Sequence, residues 1–159
     1  MIIVVFAVIF LLAVVLFQDM KHRAIWWFLP ALVFAGGIVL QYPNFQFTNQ
    51  LYSLLFIGAL MAFLYLYIYF RFGNFDVFKR YFGFGDLLIL IALIPFFEFT
   101  NYVFFFTAAT LASLVLHGIV SLIRKQQSVP YAGYVSLVLI GHLCLFYFFH
   151  LSIFSFLNV

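Results

Sequence analysis

The sequence predicts an all-α, polytopic membrane protein of about six transmembrane helices, with both chain ends outside. Three observations predict it. Of the 159 residues, 69% are hydrophobic and 7% are charged, more apolar surface than a water-soluble domain of this size can hide. The apolar residues come in long runs parted by short polar breaks, and in lipid such runs must be helical, because only a helix satisfies its own backbone within one segment. They also lack the alternation of barrel strands. Finally, the basic residues fall only in alternate breaks.

A hydrocarbon core of about 30 Å calls for about 17 to 25 helical residues. On that scale the first helix is Met1 to Phe17, ended by the polar cluster Gln18 to Arg23. It lacks a basic n-region and a cleavage site, so it reads as a retained helix rather than a signal peptide. The second is Ile25 to Tyr42, ended by Pro43 and Asn44. The third is Leu51 to Phe70, followed by the long break Arg71 to Gly85. The fourth runs from Asp86 to about Phe97, where Pro95, Glu98 and Asn101 mark a turn. The fifth is Tyr102 to Ile123. Arg124 to Pro130 is polar and ends in proline, which suits the first turn of a sixth helix reaching Phe149 or beyond.

Lys21, Arg23, Arg71, Lys79, Arg80, Arg124 and Lys125 are all the Lys and Arg residues, and they occupy the breaks after helices one, three and five. The positive-inside rule puts those breaks in the cytoplasm. It also favours six crossings over five, since a single crossing from Leu87 to Ile123 would place Arg124 and Lys125 outside. The net charge of +3 forms no basic stripe, so a nucleic-acid partner is not expected. Cys144 has no second cysteine for a disulfide or a zinc site. No cofactor or metal is expected.

Four acidic residues exist: Asp19, Asp76, Asp86 and Glu98. Asp19 and Asp86 lie at cytoplasmic ends of helices one and four, and carboxylates at a membrane are costly and often functional. A bland reading also exists, in which both are interfacial residues and Asp86 favours a helix N-terminus. The run Gly83-Phe84-Gly85-Asp86 shifts the balance. Glycines allow close backbone approach and positive φ, so an extended peptide could lie beside the carboxylate. Helix four, if it ends near Phe97, is too short to span the core, which would recess Asp86 below the cytoplasmic surface. His22 adjoins Asp19, while His117, His142 and His150 lie in apolar runs without metal-ligand spacing and read as packed residues. Trp26 and Trp27 fit an interfacial belt, and Ala108 and Ala112 form a small-xxx-small pair.

The chain resembles the type IV prepilin peptidases and archaeal preflagellin peptidases, membrane aspartic proteases of the GxGD type. Asp19-Met20-Lys21-His22-Arg23-Ala24-Ile25, Gly83-Phe84-Gly85-Asp86 and Val129-Pro130-Tyr131-Ala132-Gly133 carry the likeness. The resemblance implies one peptidase domain over residues 1–159, with Asp19 and Asp86 as catalytic pair and Gly83 and Gly85 shaping the site. It implies cleavage of N-terminal leaders from pilin-like precursors at the cytoplasmic face of a prokaryotic inner membrane, with the precursor and the bilayer as partners. Two departures are visible. Trp26-Trp27 stands where the family has Pro-Asn, and no lysine follows the GxGD run. The paired CxxC region of larger members is missing, so methyltransferase activity is not expected. Asp76, in the longest cytoplasmic break, is a candidate contact for a basic leader. The rival readings are an inactive homologue and a transport or assembly component; a transporter would need polar residues across the outer half, which is almost wholly apolar.

Overall fold

The structure, a computed structural model, describes residues 2–42, 45–72, 83–123 and 129–149. Six α-helices make up the described residues: α1 (Ile2–His22), α2 (Phe28–Gln41), α3 (Phe47–Phe72), α4 (Phe84–Leu93), α5 (Phe99–Ile123) and α6 (Tyr131–Phe149). A 3-10 turn, Ile94–Phe96, continues α4. α1, α3 and α5 are each long and apolar enough to cross a bilayer; α2, the α4 segment Phe84–Phe96 and α6 (Tyr131–Tyr147) are shorter apolar helices.

Several helix ends differ from the expected ones. α1 continues through the polar cluster, so Asp19 lies inside the helix rather than after it. It stops only where Arg23 adopts φ 54°, and the Arg23 N–H closes back on the Asp19 carbonyl at 3.2 Å. α3 starts at Phe47 rather than Leu51, and α5 at Phe99 rather than Tyr102. Hydropathy marks where a chain enters lipid. A helix ends where its backbone finds another partner, and the two points need not coincide.

α1 packs against α6 and α2, α2 against α4 and the 3-10 turn, α5 against α6, and α3 against α5. On α1 the buried stripe is Val5, Val8, Leu12, Val15 and then Asp19, at alternating steps of three and four. That is one face of a helix, so the aspartate occupies the next position of an apolar seam. Close approach to α2 is bought by Gly36 and Gly37. A Cβ on Gly37 would stand 2.7 Å from Phe96 Cε2 and 3.0 Å from Pro95 Cβ, and one on Gly36 would stand 2.5 Å from Val8 Cγ2. Small residues serve membrane helix pairs in this way.

Pro95 explains why α4 tightens. Proline has no N–H, so the Ile91 carbonyl lacks its usual donor. The Ile94 N–H bonds that carbonyl instead. This frees the Leu90 carbonyl, which accepts the buried Tyr102 hydroxyl at 2.9 Å. Every step satisfies a backbone group that lipid could not. At about 1.5 Å per α residue and 2 Å per 3-10 residue, the segment Phe84–Phe96 is about 21 Å long. That is shorter than the hydrocarbon core, as expected from sequence.

Candidate active site

The C-terminal end of α1 and the N-terminal ends of α4 and α6 meet at one end of the bundle. Pro130 opens α6, its carbonyl accepting the Tyr134 N–H at 3.1 Å. The N–H groups of the first turn therefore have no partner within the helix. Two consecutive ones are taken by the two aspartates. The Ala132 N–H donates to Asp86 Oδ1 at 3.0 Å, and the Gly133 N–H donates to Asp19 Oδ2 at 2.7 Å. Neighbouring residues have Cα atoms about 3.8 Å apart, so carboxylates bound to adjacent amides must stand close together. They act on each other's charge.

Each carboxylate has its own setting. Asp19 is 6% exposed, and Arg23 supplies a nearby positive charge. Asp86 is half-buried in the first turn of α4, with Gly83 at the N-cap position. The Gly83 amide is a second backbone donor to Asp86, and the Gly83 carbonyl accepts the Asp86 N–H at 3.0 Å. This reciprocal arrangement resembles a capping box. Tyr131 stands near Asp86 and is fixed by a 2.9 Å bond to Thr110 Oγ1. Gln18, next to Asp19 in the chain, accepts the Trp26 N–H on Oε1 at 3.2 Å and ties down the chain leaving α1.

The motif glycines act through space rather than through unusual dihedrals. Gly83 has φ −71° and ψ 136°, open to any residue, so the expected need for positive φ does not apply there. A Cβ on Gly83 would instead lie 2.9 Å from Asp86 Oδ2. On Gly85 it would press on Ile25, 3.2 Å from Cδ1. Gly133 is also tight: a Cβ would meet Asp19 Oδ2 at 3.2 Å. Trp26 and Trp27 are exposed beside the basic end of α1, as an interfacial belt would be.

The sequence-predicted pair, Asp19 and Asp86, is thus brought together, with Gly83 against it and Gly85 one helix contact away. Asp76 lies outside the described residues. In the sequence Ala132 and Gly133 stand out only as part of a motif, and their amides, which hold the two carboxylates, carry no signature in side-chain sequence.

The sequence model of the type IV leader peptidase family matches residues 6–118. That span covers well over half of the chain and includes both aspartates. The chain belongs to the type IV leader peptidase family. Comparison with curated proteins and with solved structures gave no match. The matched span ends before α6, so the amides that hold the two carboxylates lie beyond it. Membership supports a leader-peptidase-like function and fits the apolar helices.

Proposed function

We propose that this protein is a membrane-embedded aspartic endopeptidase that removes N-terminal leaders from pilin-like precursors at the cytoplasmic face of a prokaryotic inner membrane. Asp19 and Asp86 are its catalytic pair. The observation that carries the reading is the hold of two consecutive α6 amides on both carboxylates. Family membership supplies the substrate class. The six helices cross or enter the bilayer with both chain ends outside, and the basic residues after α1, α3 and α5 favour the cytoplasmic side for the aspartates. The break Arg71 to Gly85 is the place proposed for the leader, with Asp76 as its candidate acidic contact.

The chemistry follows from two like charges held together. Close carboxylates cannot both ionise at ordinary cost, so the pair shares one proton and titrates as a unit. The ionised member takes a proton from water, and the water oxygen attacks the scissile carbonyl carbon. The protonated member gives its proton to the carbonyl oxygen. Collapse of the tetrahedral species breaks the C–N bond: the leaving amine takes a proton from one carboxyl while a hydroxyl of the gem-diol gives its proton to the other, which restores the shared proton. No separate nucleophile is needed.

The test is co-expression with a pilin-like precursor bearing a basic leader, reading leader loss by gel shift. Asp19→Asn and Asp86→Asn should each abolish cleavage while the protein still accumulates in the membrane. Processing at the normal rate by both variants would overturn the assignment.

A further inference from the structure

The corner between α1 and α2 joins exposed aromatic rings to exposed basic residues. Trp26 and Trp27 are 61% and 75% exposed. The Phe28 ring stands 5.5 Å from that of Trp26 and 6.4 Å from that of Trp27, so the three form one cluster. Lys21, His22 and Arg23 are exposed on the same corner, and Lys21 lies over the exposed Phe17 ring, 5.4 Å from its centroid. The acid of this corner, Asp19, is buried. The outward surface is therefore aromatic and positive together.

The corner is tied down on the protein side. The Trp26 N–H donates to Gln18 Oε1 at 3.2 Å, and the Trp26 carbonyl accepts the Leu29 N–H at 3.0 Å. Ile25, one residue earlier, packs on the start of α4. A Cβ on Gly85 would lie 3.2 Å from Ile25 Cδ1 and 3.5 Å from Ile25 Cβ and Cγ1. Gly85 directly precedes Asp86. The corner thus bears, through one side chain, on the residue next to a carboxylate of the pair.

Indole rings favour the level of lipid headgroups, and basic residues at that level attract anionic lipid. A basic leader carries the wrong charge to settle on Lys21 and Arg23. We propose that the α1–α2 corner is a binding surface for anionic phospholipid headgroups, with phosphate against Lys21 and Arg23 and the Trp26 and Trp27 indoles beside it, and that lipid held there steadies Asp86 through Ile25. The headgroup surface stands without the protease reading; its effect on cleavage rests on that reading.

The chain has two tryptophans, both in this corner, so indole fluorescence reports from it alone. The full-length protein is reconstituted in vesicles of phosphatidylcholine and phosphatidylglycerol, with bromine on the acyl chains of one lipid or the other. A basic residue at the surface concentrates anionic lipid by about fivefold, so brominated phosphatidylglycerol should quench well beyond its share of the lipid. Lys21→Gln should lower that preference by about two- to fivefold, and salt of about 1 M should weaken it. Equal quenching by the two brominated lipids would overturn the headgroup surface. Quenching by neither would overturn it too, since the corner would then be covered by protein, a second copy included, or stand clear of the bilayer. Cleavage of a pilin-like precursor should be several-fold faster with phosphatidylglycerol than in phosphatidylcholine alone. Anionic lipid also draws a basic leader to the surface, so Ile25→Ala, which keeps the surface charge, decides the route. It should retain the quenching preference and lose the gain in rate; if it folds poorly, Ile25→Val should lose part of the gain. An undiminished gain in these variants, or a wild-type rate indifferent to lipid charge, would overturn the coupling to Asp86. If Asp19→Asn and Asp86→Asn still cleave, the protease pair is wrong, while the quenching result is unaffected.

Discussion

Gly133 is one of the tight points of the site, and enlarging it should uncouple activity from stability. Its N–H reaches Asp19 Oδ2 at 2.7 Å, and a Cβ there would stand 3.2 Å from the same oxygen and 3.4 Å from Asp19 Cβ and Leu16 Cδ1. Asp19 is buried between α1 and α6, so its carboxylate cannot swing into solvent. Gly133→Ala therefore needs a shift of a few tenths of an ångström. Gly133→Val adds carbons that fit only if the carboxylate leaves its amide. A hydrogen bond to a charged acceptor is worth about 1.5 to 3 kcal/mol. Each 1.4 kcal/mol is a factor of ten, so Gly133→Val should lose about 10- to 100-fold in kcat. Crowding costs about 1 to 3 kcal/mol, but a helical glycine replaced by alanine regains up to about 1 kcal/mol. Gly133→Ala should thus unfold near the wild-type midpoint while cleaving more slowly. The assay is steady-state cleavage of a pilin-like precursor in detergent or proteoliposomes, with thermal unfolding on the same samples. Wild-type kcat in Gly133→Val would refute the claim that the α6 amide sets the carboxylate.

Two further outcomes test the frame that carries the site. Tyr102→Phe strips the Leu90 carbonyl of its buried donor and should cost about 1 to 3 kcal/mol; an unchanged unfolding midpoint would contradict the account of Pro95. Gly37→Leu should destabilise by about 1 to 3 kcal/mol or prevent folding, because its Cβ would strike Phe96 and Pro95, whereas Gly118→Ala meets nothing within 4 Å and should be neutral or slightly stabilising. Equal midpoints for these two variants would show that the α2 contact is looser than described.

Hydropathy made the helices and their order legible, and the rarity of charge made the two aspartates legible. Helix ends were less so. The cluster Gln18 to Arg23 looks like a break because it is polar, yet α1 runs through it to His22. A polar turn at the edge of lipid can stay helical when nothing else competes for its backbone. The same applies to Thr48, Asn49 and Gln50, which α3 absorbs; there Gln50 Nε2 donates to Gln41 Oε1 at 3.3 Å and joins α3 to the end of α2. The buried seam of α1 was hidden for the opposite reason: with apolar residues on every face, no periodicity separates Val8 and Leu12 from their lipid-facing neighbours. At the site, the side-chain acids could be read, but their partners are backbone amides, which every residue but proline has.

The two aspartates come from distant parts of the chain, and each is fixed by a different lever. Asp19 continues the apolar seam of a long helix, so its depth follows from where α1 sits against α6. Asp86 rides on a short helix, and a short helix can slide. Its lower end is pinned by the 3-10 turn that Pro95 forces, with Phe96 wedged against Gly37 and the Tyr102 hydroxyl on Leu90. Its upper end is pinned by Ala132 and Gly83. α4 is therefore clamped at both ends across about 21 Å. Loosening the lower clamp should let Asp86 shift along the α4 axis while leaving Asp19 in place. Since the proposed attack geometry tolerates about an ångström at most, replacing residues far from the carboxylates, Pro95 and Tyr102 among them, should slow cleavage through the depth at which Asp86 stands.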